Sequence, residues 1–237
     1  CAMGCRFCAT GKMGFHQNLT AGEIFDQVWQ VNEIAQRQYD RRITNVVFMG
    51  MGEPMLNLDA VRRSIRILTH PKGMNLSWKR ITVSTVGLAR RIRDLADAPE
   101  KTHLAVSLHA PSDEQRKAIM PVSRSEKTDL SALEDAIRYY YEETGRDVTY
   151  EYCLFDGVND SDLDARRLAK ISRWVPSKVN LITYNPVPGT DFSRTPAGRM
   201  DRFIQALVDE GVTVTVRRSR GEDIDAACGQ LADEEAA

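Results

Sequence analysis

Short runs of apolar and β-branched residues recur at positions 43–49, 81–84, 104–108, 148–154, 179–183 and 212–216, and most are separated by stretches of helical periodicity. Strand and helix signals therefore alternate. Thr20 and Glu23 form a capping box ahead of Ile24, Val28, Val31 and Ala35, which lie at helical spacing. Asp129 opens a second helix through Leu133, Ala136, Ile137 and Tyr140, and Gly145 suits its stop. A third helix runs through Leu163, Leu168, Ile171 and Trp174, and a fourth through Met200, Phe203, Leu207 and Val208 before Gly211. The alternation predicts an α/β fold with a mostly parallel sheet and helices outside, either doubly wound or a complete or partial barrel. Both architectures gather their chemistry at the carboxyl ends of the strands. Four polar motifs fall there: Gly50-Met51-Gly52-Glu53-Pro54, Ser84-Thr85, Ser107-Leu108-His109 and Asn185-Pro186.

The length of 237 residues and 42% hydrophobic content suit one domain over residues 1–237. A net charge of −1 announces no bulk attraction to nucleic acid or membrane, so any RNA contact must be local. With no apolar run of about 18 residues and no basic-then-apolar leader, the expectation is a soluble cytoplasmic protein without a membrane partner. The chain starts on Cys1 rather than Met, which suggests a piece of a longer protein.

Five cysteines are too few and too unevenly placed for a disulfide framework, with three in the first eight residues and the others at Cys153 and Cys228. Cys1-Ala2-Met3-Gly4-Cys5-Arg6-Phe7-Cys8 offers three thiolates that a tight loop turning at Gly4 can present to an iron-sulfur cluster. Zinc is the alternative, but structural zinc usually takes four ligands and no close fourth follows Cys8. The rim residues have bland readings too: Gly52 as a turn, Ser84 as a helix cap, His109 as a satisfied core group. Cys228 could be a small buried hydrophobe. Its neighbour Gly229 and the flanking Asp223 and Asp225 favour a loop instead, where a thiol can act as a nucleophile. Cys153 lies in a strand run and reads as packing, although alternation puts it on the face of Glu151. Arg217, Arg218 and Arg220 precede the Cys228 segment and could hold phosphates, whereas Arg90, Arg91 and Arg93 read as a solvated helix face.

The C-x3-C-x2-C spacing with these rim motifs resembles the radical S-adenosylmethionine (SAM) superfamily. It resembles in particular the RlmN/Cfr family of RNA adenine methyltransferases. The segments that carry the likeness are Ala9-Thr10-Gly11, Gly14-Phe15, Asn18-Leu19-Thr20, residues 47–54, Ser107 to Pro111, Asn185 to Gly189 and Asp223 to Leu231. The resemblance implies a partial TIM barrel of (β/α)6 type whose first strand precedes the cluster loop and is missing here, leaving run 43–49 as a sheet edge. It also implies an amino-terminal RNA-binding domain and a terminal helix outside this chain.

By the same resemblance Cys1, Cys5 and Cys8 ligate a 4Fe-4S cluster, and SAM is held by Gly52, Glu53, Ser84, Ser107, Leu108, His109 and Asn185. Cys228 takes a methyl group from one SAM as S-methylcysteine, and a radical made from a second SAM then activates that methyl for addition to adenine. The family's resolving cysteine lies upstream of Cys1. The implied substrates are ribosomal RNA and tRNA, modified at carbon 2 rather than carbon 8 of adenine, and the implied reductant is a low-potential donor such as flavodoxin. A monomer is expected. Other readings stay open: methylation at carbon 8 of adenine, a radical SAM enzyme of another class with a structural Cys228, and a zinc-stabilised RNA-binding module without catalysis.

Overall fold

The computed structural model describes residues 1–121, 128–217 and 227–231. Its strands are β1 (Val46–Phe48), β2 (Ile81–Thr85), β3 (His103–Ser107), β4 (Val148–Leu154), β5 (Ser177–Thr183) and β6 (Val214–Arg217). All neighbours are parallel and the spatial order is the chain order, β1 to β6. That order decides between the two architectures left open by the alternation. A doubly wound sheet reverses its strand order at a switch point, whereas successive right-handed crossovers without reversal curl the sheet toward a barrel. The described strands form an open sheet with β1 and β6 as its edges, in keeping with a partial barrel.

Helices α1 (Ala9–Lys12), α2 (Ala21–Tyr39), α3 (Leu58–Thr69), α4 (Ala89–Ala96), α5 (Asp113–Ile119), α6 (Leu130–Thr144), α7 (Asp162–Ser172) and α8 (Ala197–Asp209) fill the intervals. The capping box at Thr20 and Glu23 starts α2, and Asp129 caps α6, which ends on Gly145 in the left-handed conformation at φ 59°. A further capping box, Ser161 with Asp164, starts α7. Trp174 falls beyond the end of α7, and the 43–49 run shortens to Val46–Phe48. The Ile43 amide is held by the Asn32 side chain on α2 at 3.1 Å, which ties that residue to the helix rather than to the sheet.

Alternation along each strand sorts its residues onto two faces. Ile81 and Val83, Leu104 and Val106, Tyr150 and Tyr152, and Val179 and Leu181 point outward, where they are buried with α3, α4, α6, α7 and α8. Each fully buried Ile, Leu or Val contributes about 1.5–3 kcal/mol. The complementary positions Ser84, Ser107, Glu151, Cys153, Asn180, Thr215 and Arg217 point inward. A polar inner face beside an apolar outer one is what an open half-barrel with a cleft at its mouth requires.

Candidate active site

The cysteine loop lies across the carboxyl end of the sheet. Gly4, at φ 63°, makes its turn; Cys5 is buried and Cys1 and Cys8 are half-buried. Gly11 backs the loop so closely that a Cβ there would lie 2.8 Å from the Cys5 carbonyl oxygen, which leaves no room for any other residue. The Arg6 amide donates to the Ile119 carbonyl at 3.0 Å, fixing the loop to the end of α5. Phe7 packs edge-on against the His109 ring with centroids 5.0 Å apart, and against Phe155 at 5.1 Å. Burial, then the neighbouring Cys8, pushes the Cys5 thiol up to about 12, so ligation there must release a proton.

The donor set fits an iron-sulfur cluster. A cubane takes its thiolates at separate corners, and three thiols spread over one loop with an apolar underside suit it.

Beside the loop opens a cleft lined by Phe48, Gly52, Glu53, Ser84, Ser107, His109, Glu151, Arg217 and Cys228, among others. Glu53 is buried, and its carboxylate accepts from the amides of Met55 at 3.0 Å and Val86 at 2.8 Å. Burial outweighs these hydrogen bonds and pushes its pKa up to about 7. Gly52, at φ 104°, supplies the left-handed backbone that turns Glu53 inward. Ser84 and Ser107 meet hydroxyl to hydroxyl at 3.4 Å across β2 and β3.

His109 is also left-handed, at φ 53°, a conformation uncommon outside glycine that swings the ring under the loop. Its Nδ1 accepts from the Cys153 amide at 3.1 Å, which assigns the ring proton to Nε2. Burial holds its pKa down near 3, so the imidazole is neutral. The core-group reading and the cleft reading thus both hold for His109.

Two further residues of the expected SAM set stand behind the cleft lining. Leu108 is fully buried among the outward-facing apolar residues and is not on the cleft wall. Asn185 is buried, and its side-chain amide donates to the Cys228 carbonyl at 3.2 Å.

That hydrogen bond is one of several that fasten the 227–231 segment over the cleft. The Ala9 amide donates to the Gly229 carbonyl at 2.8 Å, the Thr10 hydroxyl to the Leu231 carbonyl at 2.6 Å and the Gln230 side chain to the Pro186 carbonyl at 3.3 Å. Cys228, 220 positions after Cys8, is thereby set beside the cysteine loop. Solvent reaches it, yet surrounding protein pushes its thiol up, with Arg217 pulling the other way.

Cys153 is buried and packs with Phe155 and Ile182, as its strand position suggested. Arg217 lines the cleft, whereas Arg218, Arg220, Asp223 and Asp225 lie outside the described residues. On α4, Arg91 pairs with Asp94 and Arg93 lies 4.8 Å over the Tyr139 ring, consistent with a solvated face.

Glu151 was singled out in the sequence only as the neighbour of Cys153. Its carboxylate accepts from Asn180 at 2.8 Å, and Asn180 in turn accepts from the Thr215 hydroxyl at 2.9 Å. The period-two pattern of β4 carried the signal for this residue. Among the described residues no helix is long and apolar enough to cross a membrane.

The Radical SAM superfamily profile matches residues 1–169. A probable dual-specificity RNA methyltransferase RlmN from Salinibacter ruber is 67% identical over 234 residues, which cover 99% of this chain and 63% of that protein. One of the same name from Flavobacterium johnsoniae is 43% identical over all of this chain and 67% of its own length. The crystal structure of a radical SAM methyltransferase from Sphaerobacter thermophilus superposes with a TM-score of 0.93 at 51% identity, covering 98% of this chain and 67% of that one. The chain thus spans about two thirds of the length of these relatives, and less than that for Salinibacter ruber. It belongs to the radical SAM superfamily and, within it, to the family of RlmN dual-specificity RNA methyltransferases.

Proposed function

We propose that this protein methylates carbon 2 of adenine in 23S ribosomal RNA and in tRNA, with Cys228 as the carrier of the methyl group. The observation that supports it is the seating of Cys228 on the wall of the same cleft as Gly52, Glu53, Ser84, Ser107 and His109, next to the cysteine loop. Cys1, Cys5 and Cys8 would hold the superfamily's 4Fe-4S cluster, which when bound supplies the electron for reductive cleavage of SAM.

Glu53, Ser84, Ser107 and the neutral His109 offer acceptors and donors that orient SAM, and the apolar rings around Phe7 exclude water. The Cys228 thiol, which solvent reaches, gives its proton to water, assisted by the Arg217 charge, and its sulfur attacks the sulfonium methyl. A thioether forms as the S–CH3 bond to SAM breaks. Carbon 2 of adenine is electrophilic and would not attack a sulfonium methyl directly, so a carbon first parked on Cys228 and then delivered as a radical avoids the wrong polarity. A low-potential donor such as flavodoxin, a monomeric state and a cytoplasmic location complete the reading.

The test begins with anaerobic iron and sulfide analysis of the reconstituted protein beside Cys5→Ala. About four irons per chain, lost in the variant, is the expected result. One zinc and no chromophore would overturn it. Cys228→Ala should then still cleave SAM but transfer no methyl to RNA, read by mass spectrometry of nucleosides; retained transfer would make Cys228 structural.

A further inference from the structure

Arg116 on α5 is the one arginine in this protein whose guanidinium is wholly withdrawn from solvent among the described residues. Its Nη1 donates to the Leu108 carbonyl at 2.7 Å and its Nη2 to the Val86 carbonyl at 2.9 Å, while its buried Nε has no partner. No carboxylate among the described residues forms an ion pair with it. A buried cation without a counter-ion costs several kcal/mol, so its place needs a reason.

The two carbonyls belong to the segments just after Ser84 and Ser107, so the guanidinium braces both walls of the cleft from behind. Gly87, at φ 103°, leaves the space, since a Cβ there would lie 3.3 Å from Nη2. The cysteine loop sits on the other side. Ile119 and Met120, which follow Arg116, pack in one apolar cluster with Cys5, and the Arg6 amide bonds to the Ile119 carbonyl at 3.0 Å. The ionisable groups that face Arg116 are Asp113, one turn earlier on α5, and the Cys5 thiol; the nearby His109 is neutral. Its own pKa, lowered by burial to about 10, keeps it charged at neutral pH.

We infer that Arg116 is a positioning residue that places a fixed positive charge beneath the cysteine loop, where it favours the reduced, more negative state of a bound cluster. The inference rests on the reading that Cys1, Cys5 and Cys8 hold a cluster. Cluster potentials follow net charge, hydrogen bonding and exposure, and a cation in a dry setting acts with little screening.

The measurement is the midpoint potential of the reconstituted protein, followed by the spectrum of the reduced cluster, with iron counted in every sample. Arg116→Met should make reduction at least tenfold less favourable, a fall of 59 mV for one electron. Arg116→Lys, which keeps the charge and loses the fork, should stay within a factor of about three of the parent. Asp113→Asn keeps the oxygen that accepts from the Leu130 amide at 2.8 Å and removes a negative charge, so it should move the potential upward.

An iron-replete Arg116→Met at the parent potential, or equal falls in Met and Lys, would show that the residue only braces the loops. If Arg116→Met takes up no iron, Asp113→Asn decides: a rise supports the inference and an unchanged potential overturns it. Absence of iron in the parent protein would instead remove the cluster reading itself.

Discussion

The outer and inner faces of the same strands make different use of one periodicity. On β4, Tyr150 and Tyr152 point outward into the apolar core, whereas Glu151 and Cys153 between and beside them face the half-barrel interior. Outward positions are set by volume and oil-like contact, so their substitution costs stability. Inward positions are set by hydrogen bonding and charge, and their substitution should cost binding. A helix-covered parallel sheet buried on both faces would read as unbroken apolar runs; here the inward positions Ser84, Ser107, Glu151 and Arg217 line the cleft instead.

Phe203→Ala should have the largest effect on folding. Phe203 is fully buried and stacks on Tyr152 at 5.6 Å, so its truncation should destabilise by about 3–5 kcal/mol in denaturant unfolding. A cost below 1 kcal/mol would mean that the outer face is not the core.

The buried carboxyl of Glu53 comes next, through pH. Its folded value near 7 lies above the ordinary 4.5, so the folded state holds the proton more tightly. Stability from this group is therefore present below about pH 4.5 and is lost as pH rises to about 7, by up to about 3 kcal/mol. Glu53→Gln should flatten that slope, and an unchanged pH profile would show that the carboxyl is ionised throughout.

Ser107→Ala should be smallest in stability, within about 0.5 kcal/mol. It should weaken SAM binding several-fold by calorimetry through loss of one hydrogen bond of about 1 kcal/mol. If it destabilises as much as Phe203→Ala and leaves binding unchanged, the division between the two faces fails.

Much of this was legible in the chain because it is local. Thr20 with Glu23, Asp129 and Gly145 act within one helical turn, and the six strand runs alternate over a few residues. The cleft residues Gly52, Glu53, Ser84 and Ser107 were legible as well, because a strand's carboxyl end is a position in sequence before it is one in space. That the Leu108 side chain points into the core was not legible, because the chain leaves β3 at Ser107 and turns left-handed at His109. Arg116 carried no signal in the sequence, and Glu151 and Arg217 carried only a strand face and a charge cluster; their places arise from what lies across from them.

The sequence alone determined the α/β alternation, the cysteine loop and the rim on which the chemistry lies, since hydrophobic periodicity and thiol spacing are properties of neighbouring residues. Tertiary structure decided that the sheet runs in chain order as an open half-barrel. It also decided that the Cys228 segment is stitched beside the loop of Cys8 by hydrogen bonds from Ala9 and Thr10 to Gly229 and Leu231, and to the end of β5 by Asn185, and that Arg116 stands buried behind both cleft walls. Those contacts join residues up to about 220 positions apart, and only the packing of the whole fold compensates the entropy of bringing them together.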